Sequence, residues 1–449
     1  GLTEPDAVVL PGSLMMNGPS VGGRAAGCFI VLLCYSAALW AQPAATHRDV
    51  LDNGLVLLHK QNPAALTLAV CCFIRVSALV ENRSTAGLRN LAQQTLLDLP
   101  DSSGRRLEER LAERGISLRV QTTPDYVETV FAGTTDQLPQ LLSAVHEIFG
   151  PAQPTPRQLT LRRTQILREL ANRRELPLPF AWDTATAYLY RDTPCGWPVE
   201  GAGTVAGILP EQLQALRAMR YAPNRAVVSI SGNISWAQAR EETNRALGGL
   251  LPRPVPPEPA YRARLLKPAY LFSQWRGDNA AVLFATACPG PAKPEFAPTA
   301  VLNAVLSAGE GSRLFRVLRD REGLTYDIVS ELVPSALCGM VVSGATCEPK
   351  QAAQVFHIMQ AELAALKTRP PDEAEIQRAK AYLSSSFILG HQRNAEVAHY
   401  QGLFELLAPE HPEANLADAL QAVTTEQVLA ATAWLQDCAV WVQVGGSQP

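Results

Sequence analysis

The chain has 449 residues, 47% of them hydrophobic, which is enough to build two or more cored domains. Charged residues make up 18% and the net charge is −3, so no basic field points to a nucleic-acid partner. The nine cysteines are scattered without any Cys-x-x-Cys spacing, which argues against a zinc ribbon, leaves most as small core residues, and keeps a disulfide open.

Met15 or Met16 is a plausible start, followed by Arg24 and an apolar run from Cys28 to Leu39. That run is too short to span a bilayer and has the length of a signal-peptide core, with Ala41 before Gln42-Pro43 as a cleavage site. Residues 1–46 are therefore read as an N-terminal extension that directs export, to the periplasm or outside if the source is bacterial. No stable transmembrane span is expected in the mature chain. An uncleaved anchor and a mitochondrial presequence are the alternatives.

The body begins near His47. Val50 to Leu58 reads as strand, an Asn53-Gly54 turn, then strand, and Thr67 to Val76 as a buried strand in which Cys71 and Cys72 face opposite sides. A loop over Glu81 to Thr85 leads to a helix after Gly87. A charged helix from Arg105 to Arg114 is closed by Gly115, and strands follow over Ile116–Gln121 and Tyr126–Ala132. Helices are expected over 135–149, over a long stretch from Pro156 that carries Glu169, from Thr184 onward, over 208–220 and over 235–247. A strand runs from Ala226 to Ser231.

Leu251 to Pro259 holds five prolines in nine residues, which suits an extended linker and neither helix nor central strand. The order of elements then restarts: strand Ala280–Ala287, helix Pro298–Leu306, helix Ser312–Glu322 stopped by Gly323, strands Leu324–Leu332 and Gly339–Gly344, and helices near 350–367 and 371–389. Ile208 to Ala215 is similar to Val423 to Ala430, and each precedes a strand that ends in glycine, Gly232 and Gly445. The shared grammar points to a duplication. The expected class is α+β, with two related α/β-roll halves, each a mainly antiparallel sheet packed with helices: 47–250 and 262–449, joined by a proline-rich linker at 251–261.

The helix after Gly87 decides the chemistry. Asn90 and Gln94 stand four apart and project from one face, with Gln93 beside them. A zinc peptidase carries His, Glu and His there: two imidazoles hold the metal and the carboxylate is the general base. Amides have neither the basicity nor the charge for such work. The plain alternative is an ordinary buried helix.

Taken together, the residues resemble the insulinase-like metallopeptidases, relatives of pitrilysin, mitochondrial processing peptidase and the core subunits of the cytochrome bc complex. The resemblance covers about residues 48–446 and rests on Leu51-Asp52-Asn53-Gly54-Leu55, the Gly87 helix, Leu167-Arg168-Glu169, Tyr221-Ala222-Pro223-Asn224, and above all the run from Ser312 to Tyr326. It implies two halves folded as an open clam around a chamber for extended peptides. It also implies that Asn90, Gln93 and Gln94 occupy the degenerate zinc motif, that Glu169 matches the third ligand, and that Arg162 replaces an acidic residue common in active members. No metal is expected on this chain. Arg319 and Tyr326 match the pair that the family's second half uses to bind substrate and polarise the scissile carbonyl.

The expectation is a subunit incompetent by itself, which completes the active site of a homologous partner that bears the zinc and binds peptide substrate with it. A structural core subunit of a respiratory complex and a non-hydrolytic peptide-binding protein are the alternatives.

Overall fold

The computed structural model describes residues 46–191, 193–201, 203–259, 261, 267–325, 327–410, 416–437 and 440–449. The apolar run from Cys28 to Leu39 lies outside them. Ala44–Pro449 form one compact unit. Its first part runs β1 (His47–Val50), β2 (Val56–Gln61), β3 (Thr67–Ile74), α1 (Leu88–Gln94), α2 (Leu107–Ala112), β4 (Ser117–Thr122), β5 (Val127–Thr134), α3 (Leu138–Ile148), α4 (Pro156–Arg174), α5 (Pro177–Leu189), α6 (Pro210–Arg220), β6 (Ala226–Gly232) and α7 (Trp236–Leu247). The rest runs β7 (Ala269–Ser273), β8 (Ala280–Ala287), α8 (Phe296–Ser307), α9 (Arg313–Phe315), β9 (Ile328–Val333), β10 (Met340–Cys347), α10 (Ala352–Thr368), α11 (Glu373–Gly390), α12 (Asn394–Leu407), α13 (Leu416–Ala422), α14 (Thr425–Asp437) and β11 (Val440–Val444).

Two mixed sheets result, and their orders match strand for strand. The first is β1-β2-β6-β3-β5-β4 and the second β7-β11-β8-β10-β9. Leaving out the extra edge strand β1, each sheet places its last strand in second position, parallel to its first, with every other neighbour antiparallel. The resemblance between the Ile208 and Val423 segments now has a structural counterpart, because α6 and α14 each feed that second-position strand.

One face of each sheet is covered by helices of its own half. Leu91 of α1, Leu141 and Val145 of α3, Leu213 of α6 and Leu247 of α7 pack on the first sheet. Leu302 of α8, Val355 and Met359 of α10 and Val428 of α14 pack on the second. The opposite faces are covered by exchange. Ala181, Ala185 and Leu189 of α5 lie on Ala281, Leu283 and Val442 of the second sheet, while Ala398, Leu403 and Leu407 of α12 lie on Ala69, Cys71 and Val227 of the first. Gly402 lets α12 approach closely, since a Cβ there would run into the Phe73 ring. Both faces of β3 are thereby buried, with Cys72 in one core and Cys71 in the other, as the alternation of a strand requires. The exchange is fixed by polar contacts as well. Arg48 donates two bonds to Glu405, Asn394 donates to the Thr67 carbonyl at 2.8 Å, and His399 Nδ1 lies 2.8 Å from the fully buried Glu128 carboxylate.

Several elements differ from expectation. The helix expected to begin at Thr184 instead starts at Pro177 and ends at Leu189, because prolines in a first turn lack only donors that would be unpaired anyway. The strand expected from Leu324 starts at Ile328, after Thr325 has folded back onto the Thr346 carbonyl. β7 is a strand absent from the expected order. His391 follows the end of α11 at Gly390, and His399 lies on α12, which starts at Asn394. The proline-rich segment is strapped to the first half: Arg220 donates to the Pro256 carbonyl, Asn224 and Arg253 exchange bonds, and Glu258 accepts from the Ser77 amide. Among the described residues no helix is long and apolar enough to cross a membrane.

His59 gives the fold a pH dependence. It is buried in β2, its Nε2 donates to the Ile234 carbonyl at 3.1 Å, and its Nδ1 has no partner. Burial pushes its pKa from 6.5 down to about 4, partly opposed by the Ile234 contact. Between those values the unfolded chain binds the extra proton, so stability is lost as pH falls from about 6.5 toward 4. Denaturant unfolding at pH 7 and pH 5 is expected to show a loss that is smaller in His59→Gln, which keeps a donor for Ile234 without titrating.

Candidate functional site

Helix α1 is placed by two glycines set back to back. Gly87 has φ +87° and Gly201 has φ +78°, and a Cβ on Gly201 would run into the Ala86 carbonyl oxygen. Thr204 then donates to that same carbonyl. Helix α4 starts from a capping box, with the Thr155 hydroxyl accepting from the Gln158 amide and the Gln158 side chain accepting from the Thr155 amide, Pro156 standing at the first position.

At the position expected for the general base, Gln93 is fully engaged. It is buried, its Nε2 donates to the Glu128 carbonyl at 2.7 Å and to Thr129 Oγ1 at 2.8 Å, and its Oε1 accepts from the Tyr221 hydroxyl at 3.1 Å. Tyr221 is itself buried, and desolvation raises its pKa, so it remains a donor at neutral pH. The amide supplies both donors and an acceptor where a carboxylate would supply acceptors alone. Asn90 is buried and Gln94 half-buried on the same short helix. Glu169 lies on the exposed side of α4 and accepts from Gln165 at 2.8 Å, which fits the plain reading of a surface carboxylate. Among the described residues no three or more His, Cys, Asp or Glu side chains are grouped to hold a metal ion.

Arg162 explains how α1 and α4 are held together. Its guanidinium is buried and grips Asp98 with two bonds of 2.9 Å, Asp98 standing at the end of the 3₁₀ turn that follows α1. Arg106 adds a third bond to Asp98, and Arg162 Nη1 donates to Gln165, which in turn donates to Glu169. The chain of contacts thus runs from Asp98 through Arg162 and Gln165 to Glu169. On the other flank the buried Arg89 donates its amide to Glu81 at 2.7 Å and its side chain to the carbonyls of Val76 and Thr123. Burial raises the pKa of Glu81, with Arg89 pulling it back.

In the second half, Arg319 sits in a π-helical turn, Arg316–Arg321, that continues α9. The Glu322 amide closes onto the Val317 carbonyl, and Gly323, at φ +61°, ends the helix in the left-handed region. The Arg319 guanidinium lies over the Phe315 ring at 4.6 Å, half-exposed and already oriented. Tyr326 lies outside the described residues, so Arg319 is the one member of the expected pair with a position. Arg313, in the same run, plays a different part. It is buried and makes two bonds to Glu375 of 2.8 and 2.7 Å and a third to the Arg369 carbonyl.

These contacts separate what residue-by-residue reading found from what it missed. The Gln93 bonds, the Arg162–Asp98 pair and the Arg313–Glu375 pair join residues distant in sequence, and no local pattern announces them.

With this geometry in view, the chain is a two-sheet α+β protein with many packed helices. Residues 208–383 match the family model described as the Peptidase M16 inactive domain. An uncharacterized zinc protease of Mycobacterium leprae is 26% identical over 356 residues, covering 78% of this chain and 80% of its own. The crystal structure of a peptidase M16 inactive domain from Pseudomonas fluorescens superposes with a TM-score of 0.80 at 18% identity, covering 90% of this chain and 99% of that one. A chain of complex III2 from Candida albicans superposes with a TM-score of 0.75 at 15% identity, covering 89% and 96%. The M16 model match to part of the chain and the likeness to a zinc protease over most of it agree with the resemblance to the insulinase-like family.

Proposed function

We propose that this chain is the zinc-free subunit of a heteromeric insulinase-like peptidase, exported with its partner, and that it supplies Arg319 and Tyr326 to an active site whose metal sits on a homologous subunit. The observation that carries this reading is Gln93. An amide with both donors and its acceptor engaged in the core replaces the general base, so helix α1 is built as structure. The partner's zinc would polarise the attacking water. On this chain, Arg319 would donate to a substrate backbone carbonyl, and the Tyr326 phenol would donate to the oxyanion that develops on the scissile carbonyl. The π-helical turn and the stacking on Phe315 support the first role, since they hold the guanidinium in place before substrate arrives.

The likeness to a complex III2 chain favours one second reading, a structural subunit without a part in hydrolysis. The two separate on a single variant. In the assembly purified with whatever subunit accompanies this chain, Arg319→Ala is expected to lower peptide turnover on the order of 100-fold with zinc content unchanged. Tyr326→Phe is expected to do the same. Equal turnover in both variants, in an intact assembly, would make the chain a scaffold; bound peptide without any zinc-bearing subunit would make it a peptide-binding protein.

A further inference from the structure

Helix α5 covers only part of the second sheet's face that its own helices leave open. It lies over β11, β8 and β10. Its course along β10 is marked at two points. A Cβ on Gly344 would stand 3.3 Å from the Leu178 Cδ1 methyl, and the Thr186 hydroxyl lies 3.7 Å from the Met340 sulfur. Trp182, four residues from each and on the same side of the helix, stands between them at the level of Val342.

Beyond β10 lies the edge strand β9. Its residues alternate between the two faces. Ile328 and Leu332 pack with the helices of their own half, and the Ser330 hydroxyl accepts from Asn303 of α8, whereas Val333 joins the α5 cluster. Val329, Glu331 and Val333 therefore form a strip on the α5 side, in register with Gly344, Val342 and Met340. The two valines are half-buried and Glu331 reaches solvent. At its Val333 end the strip runs into the turn before β10, which Asp125 of the first half fixes by accepting from the amides of Ala336 and Leu337.

Glu331 serves no contact of the fold. Its neighbours on the strip are valines, and among the described residues no hydrogen bond or ion pair is made to its carboxylate. Desolvation raises its pKa, and no cation opposes the effect.

We infer that Glu331 and Trp182 form a subsite for a basic side chain, arginine before lysine, of the peptide that this chain binds. An incoming guanidinium would donate to the carboxylate in surroundings already partly stripped of water, where a charge-assisted bond is strongest. An indole close by suits a planar cation, and Val329 and Val333 would cover its aliphatic stem. The subsite deepens the proposed function and rests on it for the peptide. Because β9 follows the Ser312–Tyr326 run, a peptide held by Arg319 would be selected for a basic residue away from the bond to be cut.

The test uses the isolated full chain and two short labelled peptides, alanine-rich and identical except at one central position. One carries arginine there and the other citrulline, which keeps the shape and loses the charge. Fluorescence anisotropy at low salt is expected to show the arginine peptide binding on the order of 10-fold more tightly, with the preference shrinking at high salt. Glu331→Gln should abolish the preference without lowering the thermal midpoint. Equal binding of the two peptides, binding of neither, a preference that survives Glu331→Gln, or a lowered midpoint in that variant overturns the assignment. Zinc, hydrolysis and the Arg319 variant do not enter this assay, so the subsite can fail while the effect of Arg319→Ala on turnover stands, and the reverse.

Discussion

Gln93→Glu is expected to lower stability by about 3 kcal/mol and to yield no peptidase activity, although it restores the acid that a zinc peptidase carries at this position. The substitution removes both donors, taking the amide's bond away from the Glu128 carbonyl, and places a carboxylate in a core where its available contacts are the hydroxyls of Thr129 and Tyr221. The new acid would take a proton more readily in the fold than out of it. Its deficit therefore grows as pH rises above the ordinary glutamate pKa of about 4.3 and shrinks as pH falls back toward that value, below which the ionic part is gone. Urea unfolding at pH 7 and pH 4 reads both parts. A variant as stable as the parent at pH 7 would mean that the amide network contributes nothing.

Arg162→Ala is expected to cost about 3 kcal/mol, because it leaves Asp98 buried with only the half-exposed Arg106 as a cation. Arg162→Lys should recover little, since a single ammonium cannot make the two parallel bonds that the guanidinium makes to Asp98. Removing both partners, in Arg162→Ala with Asp98→Ala, should cost less than the sum of the single changes by more than 1 kcal/mol, on the order expected for a buried pair in direct contact. Denaturant midpoints of the four proteins measure this. Additive losses would show that the pair does not tie α4 to the end of α1.

Much of the architecture is legible in the residues alone. β3 and β8 are short, continuous apolar runs, and the linker's prolines exclude regular structure, so the restart of the element order after residue 261 is visible. The two elements that bind the halves together are not. The α12 sequence mixes apolar with polar residues because its buried stripe carries Asn394, Gln401 and Glu405, whose partners lie in the first half of the chain, far away in sequence. The start of α5 is obscured by Pro177 and Pro179, which look like breakers until they are placed in a first turn. At the site, the three amides Asn90, Gln93 and Gln94 are plain in the sequence. That one amide has become a buried structural bridge is not, because a degenerate motif says what a helix no longer does and nothing of what its side chains now hold.

The same contrast applies to the ion pair. By the resemblance, Arg162 stands where active members of the family commonly carry an acid, and the sequence alone shows only an arginine there. The structure shows a cross-link between α1 and α4 through Asp98, continued by Gln165 to Glu169.

The measurement that bears most directly on this account is the zinc content and peptidase activity of the isolated chain after equilibration with zinc and removal of free metal. The account predicts far less than one zinc per chain and no hydrolysis, both unchanged in Glu169→Gln. One tightly held zinc per chain, with hydrolysis that Glu169→Gln abolishes, would contradict it.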